Sequence, residues 1–144
     1  MDFVYATGGR EKYFKAENVR DCVVRAICNA TEKDYKEVYD AINELAKKER
    51  NSKCKRGRSS ARNGVYKGTY KKYLEKQLGY NFTACMGIGT GCTVHLCEKE
   101  LPKTGTYILS LSDHLTCWKD GKLYDIYDCS RGGNRCVYGY WKVA

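Results

Sequence analysis

The chain has 144 residues, the length of one domain, and its 42% hydrophobic content is enough to bury a core without cross-links. No stretch approaches the roughly 20 apolar residues of a membrane helix, and the opening MDFVYATGGREKYF lacks the apolar run of a signal peptide, so a non-exported cytoplasmic protein without a membrane partner is expected. The +9 net charge is concentrated: residues 47–72 hold eleven Lys or Arg side chains and one Glu, which leaves the rest of the chain close to neutral.

A first helix is expected over about Asp21 to Ala30, where Val23, Ala26, Ile27 and Ala30 fall on one face. Asp21 then reads as a helix cap and Arg25 as cover for the polar face. A second helix follows over about Asp34 to Glu49. Its apolar stripe is Tyr35, Val38, Tyr39, Ile42, Leu45 and Ala46, with Thr31 or Asp34 available as cap. Residues from about 47 to 68 are rich in Lys, Arg, Ser, Asn and Gly and read as a flexible solvated loop. Lys53, Lys55, Arg56, Arg58 and Arg62 could grip nucleic acid or an acidic protein there, or serve solubility alone. Thr69 can cap a third helix through Tyr70, Leu74 and Leu78, stopped by Gly79, and a short helical piece is expected over Thr93 to Leu101 before Pro102.

Beyond Pro102 the apolar period changes to two. GTYILSLS (105–112) reads as a strand and HLTCWKDGKLYDIYD (114–128) as a hairpin turning at Asp120-Gly121. RCVYGYWKV (135–143) reads as a last strand. Helices followed by antiparallel strands make an α+β fold in one domain spanning 1–144.

Nine cysteines, an odd number without a secretion signal, argue for thiols rather than a disulfide framework. CTVHLC offers Cys92, His95 and Cys97 as metal ligands without an evident fourth, so neither a metal nor another cofactor is expected. Cys22 differs from the rest by position. At a helix N-terminus the macrodipole and a nearby imidazolium both favour a thiolate, and the unpaired backbone N–H can stabilise an oxyanion.

Only two histidines occur, His95 and His114, and His95 reads as a surface residue on the short helical piece. Counting outward from Asp120-Gly121 pairs 119 with 122, 118 with 123 and 116 with 125. His114, Thr116, Trp118, Leu123, Asp125 and Tyr127 then share one face. Asp125 lies diagonal to His114. Asp128 points the other way in a regular ladder, but a bulge or the strand end would bring it round, so it stands as the alternative partner. Trp118 and Trp141 read as sheet packing.

A cysteine opening the first helix, a histidine on a later strand and an aspartate on the next follow the order of papain-like cysteine peptidases. DCVVRAI (21–27), the segment 105–130 and VYGYW (137–141) resemble small papain-fold proteins of phages and bacteria. The resemblance implies N-terminal helices packed on a C-terminal antiparallel sheet. It also implies a thiol hydrolase of peptide, isopeptide or amide bonds, with Cys22 as nucleophile, His114 as base and Asp125 or Asp128 behind it. Asn18, four residues before Cys22, becomes a candidate second oxyanion donor, and a viral source would place the protein in the host cytoplasm. The competing expectation is a catalytically silent papain-fold binder acting through the basic loop.

Overall fold

The computed structural model describes residues 3–15, 19–49, 58–86 and 89–144. The fold is α+β. A short strand β1 (Phe3–Tyr5) precedes helices α1 (Cys22–Thr31), α2 (Tyr35–Lys47) and α3 (Lys67–Lys71), the last running on into a π-helical stretch at Lys72–Gln77. Strands β2 (Phe82–Ala84), β3 (Thr106–Leu111), β4 (His114–Lys119), β5 (Lys122–Asp125) and β6 (Gly139–Lys142) complete a six-stranded sheet in the order β1-β5-β4-β3-β6-β2.

The expected antiparallel sheet needs a correction: β1 pairs parallel to β5, so the sheet is mixed, and its two outer strands come from before the helices and from just after them. Three-residue strands carry too little alternation to stand out in a sequence. The central meander is where the pattern places it. The β4–β5 turn puts Asp120 at φ 49 and Gly121 at φ 79, and the pairs Lys119↔Lys122, Trp118↔Leu123 and Cys117↔Tyr124 follow the register counted from Asp-Gly. A two-residue loop, Ser112-Asp113, joins β3 to β4 and sets Leu111 opposite His114.

Both faces of the sheet are covered. On one, Ile108, Leu115, Cys117 and Trp141 pack with Val23, Val24, Ile27, Val38 and Ile42 from α1 and α2. On the other, Tyr107, Leu109, Leu111, Trp118 and Leu123 meet Leu96, Leu101, Cys129 and Val137 from irregular segments. Every residue of β3 is therefore buried, for side chains on both faces of the strand meet a core. Trp118 and Trp141 are fully buried in these two layers. The helical piece expected over Thr93 to Leu101 is instead a series of bends and turns laid over the second face, and His95 lies in an isolated bridge to Cys136.

Helix α1 is buried well beyond its predicted stripe, because β4 lies against one side and α2 against another. The N-terminal segment also presses on it: a Cβ added at Gly8 would stand 3.0 Å from Cys28 Cβ and 3.3 Å from Arg25 Cα, and the φ of +73° there disfavours any other residue as well. Helix α2 has Asp34 as its cap, accepting from the Glu37 amide at 3.4 Å.

Two further expectations change. The distal part of the basic segment is packed rather than solvated. Ser59 and Ala61 are buried, the Ala61 amide donates to Asn43 Oδ1 at 3.0 Å, and the Ser59 hydroxyl meets Thr69 Oγ1 at 2.7 Å. Thr69 is thus held inside a helix that begins at Lys67 instead of capping it. Cys92 and Cys136 form a disulfide, with Cα atoms 5.8 Å apart. The chain runs containing them are joined by backbone bonds from Val137 N to Val94 O and from Leu96 N to Arg135 O, both 2.8 Å, which bring together two cysteines 44 residues apart. His95 Nδ1 and Cys97 Sγ both turn to Glu100 Oε2, at 3.1 and 3.2 Å, while Cys92 is taken up by the disulfide.

Candidate active site

Cys22, His114 and Asp125 meet at the start of three elements' contact: Cys22 is the first residue of α1, His114 the first of β4 and Asp125 the last of β5. Helix α1 lies across β4, which places its N-terminus at the end of the strand where His114 stands. The His114 Nε2–Asp125 Oδ2 distance is 2.7 Å. With Nε2 engaged by the carboxylate, Nδ1 is the ring nitrogen left for the half-buried Cys22 thiol.

Burial alone would raise the Cys22 pKa. Hydrogen bonding to His114 and its charge, the Leu115 backbone amide and the Arg25 guanidinium outweigh that and hold it below the usual thiol value. Burial likewise works against a charged His114, yet its contacts with Asp125, Cys129 and Cys22 carry it up to about 11. Asp125 is held below the ordinary carboxylate value in spite of burial, through the hydrogen bond and charge of His114 together with Thr116 and the Ile126 amide. Elsewhere in the core, burial pushes the thiols of Cys28 and Cys117 up to about 12. The surroundings of Cys22 thus favour a thiolate–imidazolium pair, and those of Cys28 and Cys117 favour inert thiols.

Asp125 rather than Asp128 is the carboxylate at the imidazole. Its Oδ2 also accepts from Thr116 Oγ1 at 2.8 Å, and its Oδ1 accepts from the Ile126 amide at 2.7 Å. Asp128 Oδ1 accepts from the Ser130 amide at 3.0 Å and serves its own turn. Tyr127, about half exposed, sets its ring 5.6 Å from that of His114.

Two participants, Cys129 and Arg25, escape the sequence reading, while Thr116 stands where the hairpin register puts it. Cys129 is buried with Sγ 3.6 Å from Asp125 Oδ2, and Thr116 reaches the same oxygen. Arg25, expected on a polar face, is buried and bridges Asp21 to Asp125, with Nη2 3.3 Å from Asp125 Oδ1. Asp21 does not cap the helix with its side chain. It is itself buried, bonded to Arg25, to Arg10 Nη1 at 3.2 Å and to the Tyr35 hydroxyl at 2.5 Å. The i,i+4 spacing of Asp21 and Arg25 was the available signal.

Donor atoms of His114, Asp125 and Cys129 all lie within 4.8 Å of one another, a set that zinc accepts. However, ligands about 2.1 Å from a tetrahedral ion stand about 3.4 Å apart. The 2.7 Å contact between imidazole and carboxylate is a hydrogen bond with no space for an ion, and Arg25 already holds the carboxylate's other oxygen.

Asn18 lies outside the described residues, as do Lys53, Lys55 and Arg56; Arg58 and Arg62 are exposed. Among the described residues no helix is long and apolar enough to cross a membrane. No protein-family model matches the chain, and comparison with curated proteins and with solved structures gives no match.

Proposed function

We propose that this chain is a papain-like thiol hydrolase that cleaves peptide, isopeptide or amide bonds through a thioester on Cys22. The observation that carries this reading is the joint arrangement of a helix-terminal thiol of lowered pKa, an imidazole of raised pKa and a carboxylate 2.7 Å from that imidazole.

In the first half-reaction the Cys22 thiolate attacks the carbonyl carbon. A carbon–sulfur bond forms, and the carbonyl electron pair moves onto oxygen, facing the Cys22 backbone N–H at the start of α1. Collapse of this intermediate breaks the carbon–nitrogen bond, and the departing amine takes the proton of the His114 imidazolium. Water then attacks the thioester while His114 removes its proton, and a second collapse returns the thiolate. Asp125 fixes the ring orientation and stabilises the imidazolium in each half. No metal or organic cofactor enters these steps.

The test is labelling with a peptidyl acyloxymethyl ketone at about pH 6, a condition that leaves ordinary thiols almost wholly protonated. Mass spectrometry is expected to find the adduct on Cys22 alone. A protein that stays unlabelled, or carries the adduct mainly on other cysteines, overturns the hydrolase reading. It would favour the silent binder; of the five basic residues that could serve it, Arg58 and Arg62 are described, and both are exposed.

A further inference from the structure

The hydrolase reading leaves unexplained why a guanidinium is buried beside the candidate site. Arg25 is only 4% exposed, and a cation so placed requires charged partners. It has two. One arm bonds Asp21, which directly precedes Cys22, and the other meets Asp125 Oδ1 at 3.3 Å, 100 residues away in sequence.

We infer that Arg25 is a positioning residue of the candidate site: its guanidinium braces the first turn of the helix carrying Cys22 to the end of the strand carrying Asp125. The inference rests on the hydrolase reading and adds a fourth side chain to it. The far end of the brace is fixed independently, since Asp21 is also held by Arg10 and by the Tyr35 hydroxyl of α2. At the near end the two carboxylate oxygens have separate tasks. Oδ1 takes Arg25 and the Ile126 amide, which leaves Oδ2 turned to His114 and Thr116. Losing the contact at Oδ1 frees the carboxylate to rotate and α1 to slide along β4, and either motion separates thiol from imidazole.

The planar fork of an arginine can serve two carboxylates at once, where an ammonium acts as a point charge. The groups facing Arg25 are Asp21 and Cys22 on its own helix and Asp125 from β5, with Arg10 beyond Asp21 and His114 beyond Asp125. Its positive charge adds to the stabilisation of the thiolate, so its removal acts in the same direction as the lost positioning.

The experiment measures the pH–rate profile of Cys22 alkylation by iodoacetamide in the wild type, Arg25→Met, Arg25→Lys and each combined with His114→Ala, with thermal melts to confirm folding. Arg25→Met is expected to move the Cys22 midpoint up by about one pH unit. Arg25→Lys should give a smaller shift, and most of the effect should vanish where His114 is already absent. A folded Arg25→Met protein with the wild-type midpoint overturns the inference, as does a shift of equal size without His114. Should Arg25→Met fail to fold, Arg25→Lys decides by the same criteria. An ordinary thiol midpoint in the wild type would instead sink the hydrolase reading itself.

Discussion

His114→Ala is expected to slow labelling of Cys22 by a peptidyl acyloxymethyl ketone by about a thousandfold at near-neutral pH. Two losses combine. Without the imidazolium, Cys22 keeps the burial that raises its pKa but loses the largest contributions that lower it, so its thiolate fraction falls steeply. The positive charge beside the developing oxyanion disappears as well. A thiolate of higher pKa is intrinsically more nucleophilic, which returns about tenfold and no more. Asp125→Asn keeps the shape of the carboxylate without its charge and should fall between wild type and His114→Ala, because the raised basicity of His114 depends on that charge. Rate constants for the three proteins, read by intact-mass spectrometry, check the order. Equal rates in wild type and His114→Ala would remove the histidine from the mechanism.

The second large effect concerns stability. Asp21 is 1% exposed and accepts hydrogen bonds from Arg10, Arg25 and Tyr35. Asp21→Ala leaves two guanidinium groups without that carboxylate and a phenol without its acceptor. Breaking a buried pair from one side typically costs about 3–5 kcal/mol, and urea denaturation of the variant is expected to show a loss in that range. Asp21→Asn retains an acceptor oxygen and should cost less. A loss under about 1 kcal/mol for Asp21→Ala would mean that water replaces the carboxylate and that the network is ordinary surface pairing.

The histidine and aspartate of the site were legible because one local signal fixes both. Asp120-Gly121 sets the hairpin register, and the register alone puts Asp125 beside Thr116 and diagonal to His114. The start of α1 at Cys22 was legible for a similar reason, since an apolar stripe follows an aspartate there. What the sequence hides is long-range. The Arg25–Asp125 contact spans 100 residues, and no periodicity marks it. The Cys92–Cys136 bond depends on two irregular segments lying side by side, and the parallel pairing of β1 with β5 on a three-residue strand. The second core explains the misread segment at 93–101: its apolar residues Leu96 and Leu101 serve the back of the sheet without the regular spacing of a helix.

The raised basicity of His114 also gives stability a pH dependence. Folding raises its pKa from 6.5 to about 11, so its proton stabilises the folded state fully below about 6.5 and ever less as the pH climbs through about 11. The same shift keeps the imidazolium present throughout the neutral range, and its charge and hydrogen bond are the largest influences that lower the pKa of Cys22.

The most direct measurement of the central claim is the pH dependence of iodoacetamide alkylation at Cys22, followed by mass spectrometry beside Cys28 and Cys117 in the same sample. Cys22 is expected to react rapidly with a midpoint below the ordinary thiol value of about 8.5, Cys28 and Cys117 to stay unreactive until strongly alkaline pH, and His114→Ala to move the Cys22 midpoint upward. A Cys22 that titrates like an ordinary thiol, or is unmoved by His114→Ala, would contradict that claim.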